Sequence, residues 1–151
     1  MALTGIVALL ASAGLFVSRP VDVVVDGTRM ESDVPPVTTA PNRVFVPLRS
    51  IAEALGAQTI VEGKSDRVVV VRGSDALQLR VGDLHAKLDG MPMTLDRAPF
   101  RVRGRVMVGL RTIARAFGVR VTYDAVAGRI DVMTPGIGQA PHTANITEAT
   151  Q

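Results

Sequence analysis

Apolar residues recur along the chain with two different periods. Short alternating or continuous apolar runs, such as residues 21–25 and 58–61, predict strands. Two segments instead place apolar side chains at i, i+3, i+4 and i+7, which predicts one short amphipathic helix in each. Those residues are Leu48, Ile51, Ala52 and Leu55, and then Leu110, Ile113, Ala114 and Phe117. Gly56 and Gly118 follow the two stripes and are predicted to cap the helices in the left-handed conformation.

Turn-forming residues separate these elements. Asp26-Gly27 and Asp89-Gly90 each follow an apolar strand, and Asp-Gly accepts the positive φ angles of a two-residue hairpin turn. Consecutive prolines in the loop at residues 33–36 have no backbone N–H to donate, so they disfavour both a helix and the hydrogen bonds between strands of a sheet. We therefore expect a hairpin, then this loop, then a strand at residues 43–46 or 101–108, and then a helix that begins near Pro47.

The same order of residues occurs twice. Residues 43–70 match residues 105–132 at a constant separation of 62. Arg43 and Arg105 are one of the identical pairs in this match. A unit of about 50 residues is marginal alone, so two copies are expected to share a core. The predicted fold is α+β, a duplicated unit of mostly antiparallel strands wrapped around one short helix each. The predicted repeats span about 21–73 and 84–134, within a domain at 21–134.

The two ends of the chain differ from this pattern. Residues 2–17 are mostly apolar and contain Ala11-Ser12-Ala13, a small-x-small sequence of the kind that follows a secretory leader, although no Lys or Arg precedes the run. Residues 1–20 are therefore interpreted as a signal-peptide-like or anchor segment, with an apolar buried strand as the alternative. Residues 135–151 show no apolar periodicity and are predicted to form a flexible tail.

Composition removes several classes of chemistry. The chain has 151 residues, 47% of them hydrophobic, with no Cys, no Trp and two His. Disulfides, thiolate metal sites and Cys nucleophiles are thereby excluded, and a site with three imidazoles cannot be built. Walker-type and dinucleotide-type glycine loops are also absent from the sequence. We therefore predict no catalytic residues, no metal, no cofactor and no enzyme activity.

Longer motifs carry a family resemblance. Val25-Asp26-Gly27, the loop at 33–36 and the segment from Asn42 to Ala57 resemble the copper amine oxidase N-terminal domain-like, or stalk, repeat of secreted and cell-surface bacterial proteins. The second copy matches through Leu88-Asp89-Gly90 and residues 105–118, although Gly109 stands where the family has a helix-opening proline.

This resemblance implies an accessory module of secreted or cell-surface bacterial proteins, without activity of its own. The copper and the catalytic groups of copper amine oxidases belong to a separate domain, so the resemblance implies no copper here. We accordingly expect a non-catalytic extracytoplasmic interaction or spacer module of the cell envelope. The expected partner is an envelope protein or an anionic wall polymer.

Two arginine–aspartate pairs are predicted to have a structural role. Arg49 and Arg111 fall in the first turns of the helices, where the helix dipole disfavours a cation. Asp33 and Asp96 recur in the same two copies, so each Arg is expected to pair with the Asp of its own copy.

The second copy is also the more basic. Residues 97–123 contain seven arginines and no acidic residue, and six of them form the candidate ligand-binding set: Arg97, Arg101, Arg103, Arg105, Arg115 and Arg120. Alternation along one strand would place Arg101, Arg103 and Arg105 on one face. Guanidinium groups suit carboxylates and phosphates, so the alternative function is an electrostatic binder of anionic wall polysaccharide. Nucleic acid is disfavoured because the chain lacks stacking aromatics, and a merely solvated basic face remains the other interpretation.

Overall fold

Strands predominate over helices, as expected for an α+β fold. The structure is a computed structural model that describes residues 21–39 and 43–135. The elements are β1 (Asp22–Val25), β2 (Thr28–Arg29), β3 (Val37–Thr39), β4 (Arg43–Pro47), α1 (Leu48–Ala54), β5 (Gln58–Glu62), β6 (Arg67–Arg72), β7 (Asp75–Arg80), β8 (His85–Leu88), β9 (Met91–Thr94), β10 (Phe100–Val102), β11 (Arg105–Gly109), α2 (Leu110–Phe117), β12 (Arg120–Asp124) and β13 (Arg129–Met133). The predicted leader and nearly all of the predicted tail lie outside the described residues.

Three sheets are built from strands distant in sequence. We call β1 to β6 the first half and β8 to β13 the second half; β7 lies between them. The sheet orders are β12-β13-β1-β2, β10-β11-β4-β3 and β5-β6-β7-β8-β9. Every sheet therefore contains strands of both halves. In the first of these, β1 runs parallel to β13, from Asp22 beside Arg129 to Val25 beside Val132.

Tight turns close the hairpins. Asp26 and Gly27 have φ of 48° and 84°, and Asp89 and Gly90 have φ of 51° and 79°. Positive φ at both central positions is the signature of a type I′ turn, so the predicted hairpins are confirmed.

A third turn of this kind corrects one predicted strand. Arg103 and Gly104 have φ of 49° and 78°, and β10 pairs back on β11 through them. The continuous strand predicted over residues 101–108 is therefore wrong. Arg-Gly is a less familiar turn signal than Asp-Gly, because an arginine pays a steric penalty at positive φ that Asp and Asn largely escape.

Both helices begin and end close to the predicted positions. Pro47 is the N-cap of α1 and has extended backbone, with φ −60° and ψ 122°. It therefore ends β4, whereas the sequence predicted it as the first helical residue. Gly56 has φ 71°, and the Ala57 N–H donates to the Ala52 carbonyl, as in a Schellman motif. Gly118 caps α2 with φ 64°. The predicted left-handed caps are confirmed.

One large apolar cluster joins the two halves. Ile51 of α1 and Ile113 of α2 are buried in the same cluster, together with Val46 of β4 and Val108 of β11, the middle strands of the sheet β10-β11-β4-β3, which we call the central sheet. A smaller cluster of Val34, Phe45 and Met107 lies beside it. Within residues 21–39 and 43–135, no helix is long and apolar enough to cross a membrane.

Candidate functional site

Two grooves lie at comparable places in the two halves. Each is bounded by the first turn of a helix, the loop that carries Asp33 or Asp96, and a central-sheet strand from the other half. The first groove, about 630 Å³, includes Asp33, Leu48, Arg49, Val61, Arg101 and Arg105. The second groove, about 310 Å³, includes Arg43, Phe45, Asp96, Arg97, Arg111 and Tyr123. Leu48 and Leu110 line the first and second groove respectively, and they stand 62 positions apart.

An ion pair spans the first groove. Arg105 Nη2 lies 2.6 Å from Asp33 Oδ2, and Arg105 Nε lies 2.9 Å from the same oxygen and 3.2 Å from Oδ1. The hydrogen bonds from Arg105 hold the pKa of the Asp33 carboxyl below its usual value, and the same contact raises the pKa of Arg105. This groove therefore contains its own counterion.

The predicted pairing of Asp33 with Arg49 is wrong. The ion-pair partner of Asp33 is Arg105 from β11, which lies beside β4 only because the two halves pair across the central sheet.

Within residues 21–39 and 43–135, the second groove has no such ion pair. Among the described residues, Asp96 has no basic partner within 4.0 Å, so the expected pair with Arg111 is not formed. The guanidinium of Arg97 instead lies 5.4 Å from the ring centre of Phe45 and 5.1 Å from that of Phe100. Cation–π contact of this kind orients the guanidinium without neutralising it.

The six candidate arginines occupy several separate places. Arg101 bonds Asp66 at 2.6 Å and Arg105 bonds Asp33, while Arg103 occupies the turn between them. The row of three guanidinium groups expected from strand alternation is therefore wrong, because the hairpin turn interrupts the strand. Arg97 lines the second groove. Arg115 lines a shallow depression beside β8 and β9, and Arg120 begins β12.

The side chain of His85 is exposed and does not build a metal site. Its Nδ1 lies 3.0 Å from Asp83 Oδ1, and its backbone N–H donates to the same oxygen at 2.8 Å. These bonds, the backbone one first, lower the pKa of Asp83. In the described part of the chain no three His, Cys, Asp or Glu side chains are grouped as metal ligands. The donor set does not fit copper, which prefers several imidazoles.

A carboxylate clasp at the end of β13 was not foreseen. The Asp26 carboxylate accepts bonds from Thr134 N–H at 2.8 Å and Thr134 Oγ1 at 2.7 Å. The backbone bond, followed by the hydroxyl bond, lowers the pKa of Asp26. The sequence identifies Asp26 only as a turn residue, because the parallel pairing that brings Thr134 to it has no local sequence signal.

Comparison with known proteins assigns the family. A family model described as the copper amine oxidase N-terminal domain matches residues 24–132. The match contains both halves apart from the first two residues of β1 and the last residue of β13. That domain is non-catalytic and stalk-like, and the match includes no catalytic domain. No curated protein matches the chain. Because the match covers well over half of its length, the chain belongs to the copper amine oxidase N-terminal domain family.

Proposed function

We propose that the chain is a non-catalytic, extracytoplasmic spacer or interaction module of the cell envelope. The proposed partners are an envelope protein or an anionic wall polymer. The proposal is supported by the family, whose domain is stalk-like, and by the way the chain enters and leaves the fold.

The observation that carries the proposal is the parallel pairing of β1 and β13, the first and last strands that the structure describes. β1 begins beside the start of β13, with Asp22 opposite Arg129. The chain therefore enters the fold at one end of this strand pair and leaves it at the other. Four residue pairs, and flanking bonds from Asp22 N–H to the Gly128 carbonyl and from Asp26 N–H to the Val132 carbonyl, join the strands.

This arrangement suits a module that transmits tension. Pulling on the two flanking segments draws β1 and β13 past each other along their length, so all of their inter-strand hydrogen bonds are loaded together. The same bonds would break one at a time if both strands were pulled from the same end. The clasp of Asp26 on Thr134 adds two further bonds at the exit of β13.

Single-molecule pulling tests the spacer proposal. The chain has no cysteine, so handles can be placed at chosen positions without background attachment. One form carries handles at the two chain ends, and the control carries one at the amino end and one at Ala127→Cys, in the exposed turn before β13. We expect a clearly higher unfolding force for the first form at equal pulling speed. Equal forces in the two forms would refute a load-bearing role for the strand pair.

The extracytoplasmic location needs its own experiment. Residues 1–20 would be fused to an alkaline phosphatase that lacks its leader and folds only in an oxidising compartment. We expect phosphatase activity with the fusion in intact bacteria and none when residues 2–17 are deleted. An inactive but stably expressed fusion would contradict the location and leave the pulling result unaffected.

We also propose that the two halves arose by duplication of one unit. The central sheet pairs Val46 directly with Val108, and these residues are 62 positions apart. On either side of this pair, Met107 is opposite Pro47 and Gly109 is opposite Phe45, so each contact has its counterpart with the halves exchanged. A pseudo-twofold axis through Val46 and Val108 accounts for this register, and it relates the two grooves as well.

A further inference from the structure

We propose that the second groove binds a small organic oxyanion, a carboxylate or phosphate carried on a single ring. The proposal does not depend on the spacer function, because it rests on the charges of the groove and not on the pairing of β1 with β13; Ile130 of β13 is part of the groove lining. It arises from a comparison of the two grooves, which have corresponding walls and different charge arrangements.

The second groove has an excess of cationic groups. Arg43, Arg97 and Arg111 line it together with one carboxylate, that of Asp96. None of these four groups has an oppositely charged partner within 4.0 Å in the part of the chain that the structure describes. Guanidinium groups bind carboxylates and phosphates with paired, charge-assisted hydrogen bonds.

The first groove serves as the internal comparison. There Arg105, which corresponds to Arg43, binds Asp33, which corresponds to Asp96. A carboxylate of the chain already pairs with that arginine, whereas no carboxylate of residues 21–39 and 43–135 pairs with the arginines of the second groove. The difference lies between two sites of one molecule, so overall net charge does not explain it.

Helix α2 adds to the positive field of the second groove. No acidic residue lies in its first turn, and Gly109 at the N-cap provides no side-chain bond to the free N–H groups. Thr38 and Thr59 line the second and the first groove respectively, and the Oγ1 atom of each is buried without a hydrogen-bond partner among the described residues, so this feature does not distinguish the two grooves. A ligand oxygen could accept hydrogen bonds from the free N–H groups at the start of α2.

The walls and the volume set the size of the ligand. Phe45 and Leu110 are buried at the base, and the ring of Tyr123 is 47% exposed at the rim. The volume of about 310 Å³ falls at the lower end of the range for small-molecule pockets, about 300–1,000 Å³. One ring with one oxyanion therefore fits better than a larger molecule.

Titration with defined probes tests the proposal. Benzoate and phenyl phosphate are the anionic probes, benzyl alcohol is the neutral control, and glucuronate tests whether a sugar ring serves as well as an apolar one. Binding is followed by backbone amide shifts in NMR spectra of the full chain. We expect both aromatic anions to shift residues of α2 and β12, and benzyl alcohol to bind at least about tenfold more weakly.

Paired variants decide whether the second groove is the site. Arg111→Gln should weaken benzoate binding about tenfold, the equivalent of about 1.4 kcal/mol. Arg49→Gln makes the same charge change at the corresponding position of the first groove and should leave binding unchanged. Arg43→Gln is a second test within the second groove, should Arg111→Gln fail to fold.

Each outcome bears on the proposal. Loss with Arg111→Gln or Arg43→Gln and retention with Arg49→Gln supports it, and binding of glucuronate at the same amides extends it to sugar acids. Equal losses with Arg111→Gln and Arg49→Gln would reduce it to general charge attraction and overturn it. Equal binding of benzoate and benzyl alcohol, or no shifts in α2 and β12, would overturn it as well.

Discussion

Truncation of one core isoleucine in either half should destabilise the whole domain. Ile51 in α1 is 0% exposed, and Ile113 in α2 is 1% exposed. Both belong to the apolar cluster that joins the halves. Ile51→Ala and Ile113→Ala therefore remove equivalent contacts from one shared core, and neither half should unfold alone.

The expected size follows from burial. Replacement of a fully buried isoleucine by alanine costs about 2–5 kcal/mol of unfolding free energy, because transfer and cavity terms add. With a urea slope of about 1.5 kcal/mol/M, a loss of about 3 kcal/mol lowers the unfolding midpoint by about 2 M. The two variants should show similar shifts, since the two sites are equally buried.

Urea unfolding measured by circular dichroism, with hydrogen exchange of amides in both halves, checks this reasoning. We expect a single transition in each variant, and faster exchange in α1 and α2 together whichever isoleucine is changed. Val126→Ala, at a fully exposed site, is the control and should leave the midpoint unchanged. Two separate transitions, or exchange that accelerates only in the altered half, would refute a shared core.

Three further changes have defined outcomes. Arg105→Gln should raise the pKa of Asp33 towards its ordinary value, so the stability advantage of the wild type over this variant should be present above the ordinary pKa of Asp and should shrink as the pH falls through the folded pKa of Asp33. A pH series of urea midpoints for both proteins measures this advantage, and an advantage that persists in acid would contradict the reasoning. Thr134→Ala removes the hydroxyl donor to Asp26 but keeps the N–H donor, so the pKa of Asp26 should rise only in part, while that of Asp83 in the same NMR titration should not move. Arg103→Asn should raise the unfolding free energy by about 1 kcal/mol, because asparagine adopts positive φ at lower cost, and an unchanged melting curve would argue against strain at this turn.

Local features of the fold were accessible from sequence. The apolar stripes predicted α1 and α2, and Gly56, Gly118, Asp26-Gly27 and Asp89-Gly90 marked the caps and turns that the structure contains. These features depend on φ preferences and on side-chain period within a few residues, which a sequence states directly. The Arg103-Gly104 turn was missed because its first residue is not one that prefers positive φ.

The candidate site depended on contacts that sequence does not encode locally. Arg43, which lines the second groove, was not among the predicted site residues, although Arg97 was. The missing information was the antiparallel pairing of β4 with β11, which brings an arginine of the first half to the helix of the second. The sequence does carry one signal of pairing between the copies, because Asp33 and Arg43 are separated by nearly the same distance along the chain as Asp96 and Arg105.

By itself the sequence determined an α+β chain of short strands, two amphipathic helices and the family to which it belongs. Only the tertiary structure decided that Asp33 binds Arg105, that Asp96 has no such partner in the part of the chain that the structure describes, and that β1 lies parallel to β13. The physical reason is that turns and caps are set by the conformational preferences of neighbouring residues. Ion pairs and strand partners between distant segments depend on how those segments pack around a common core.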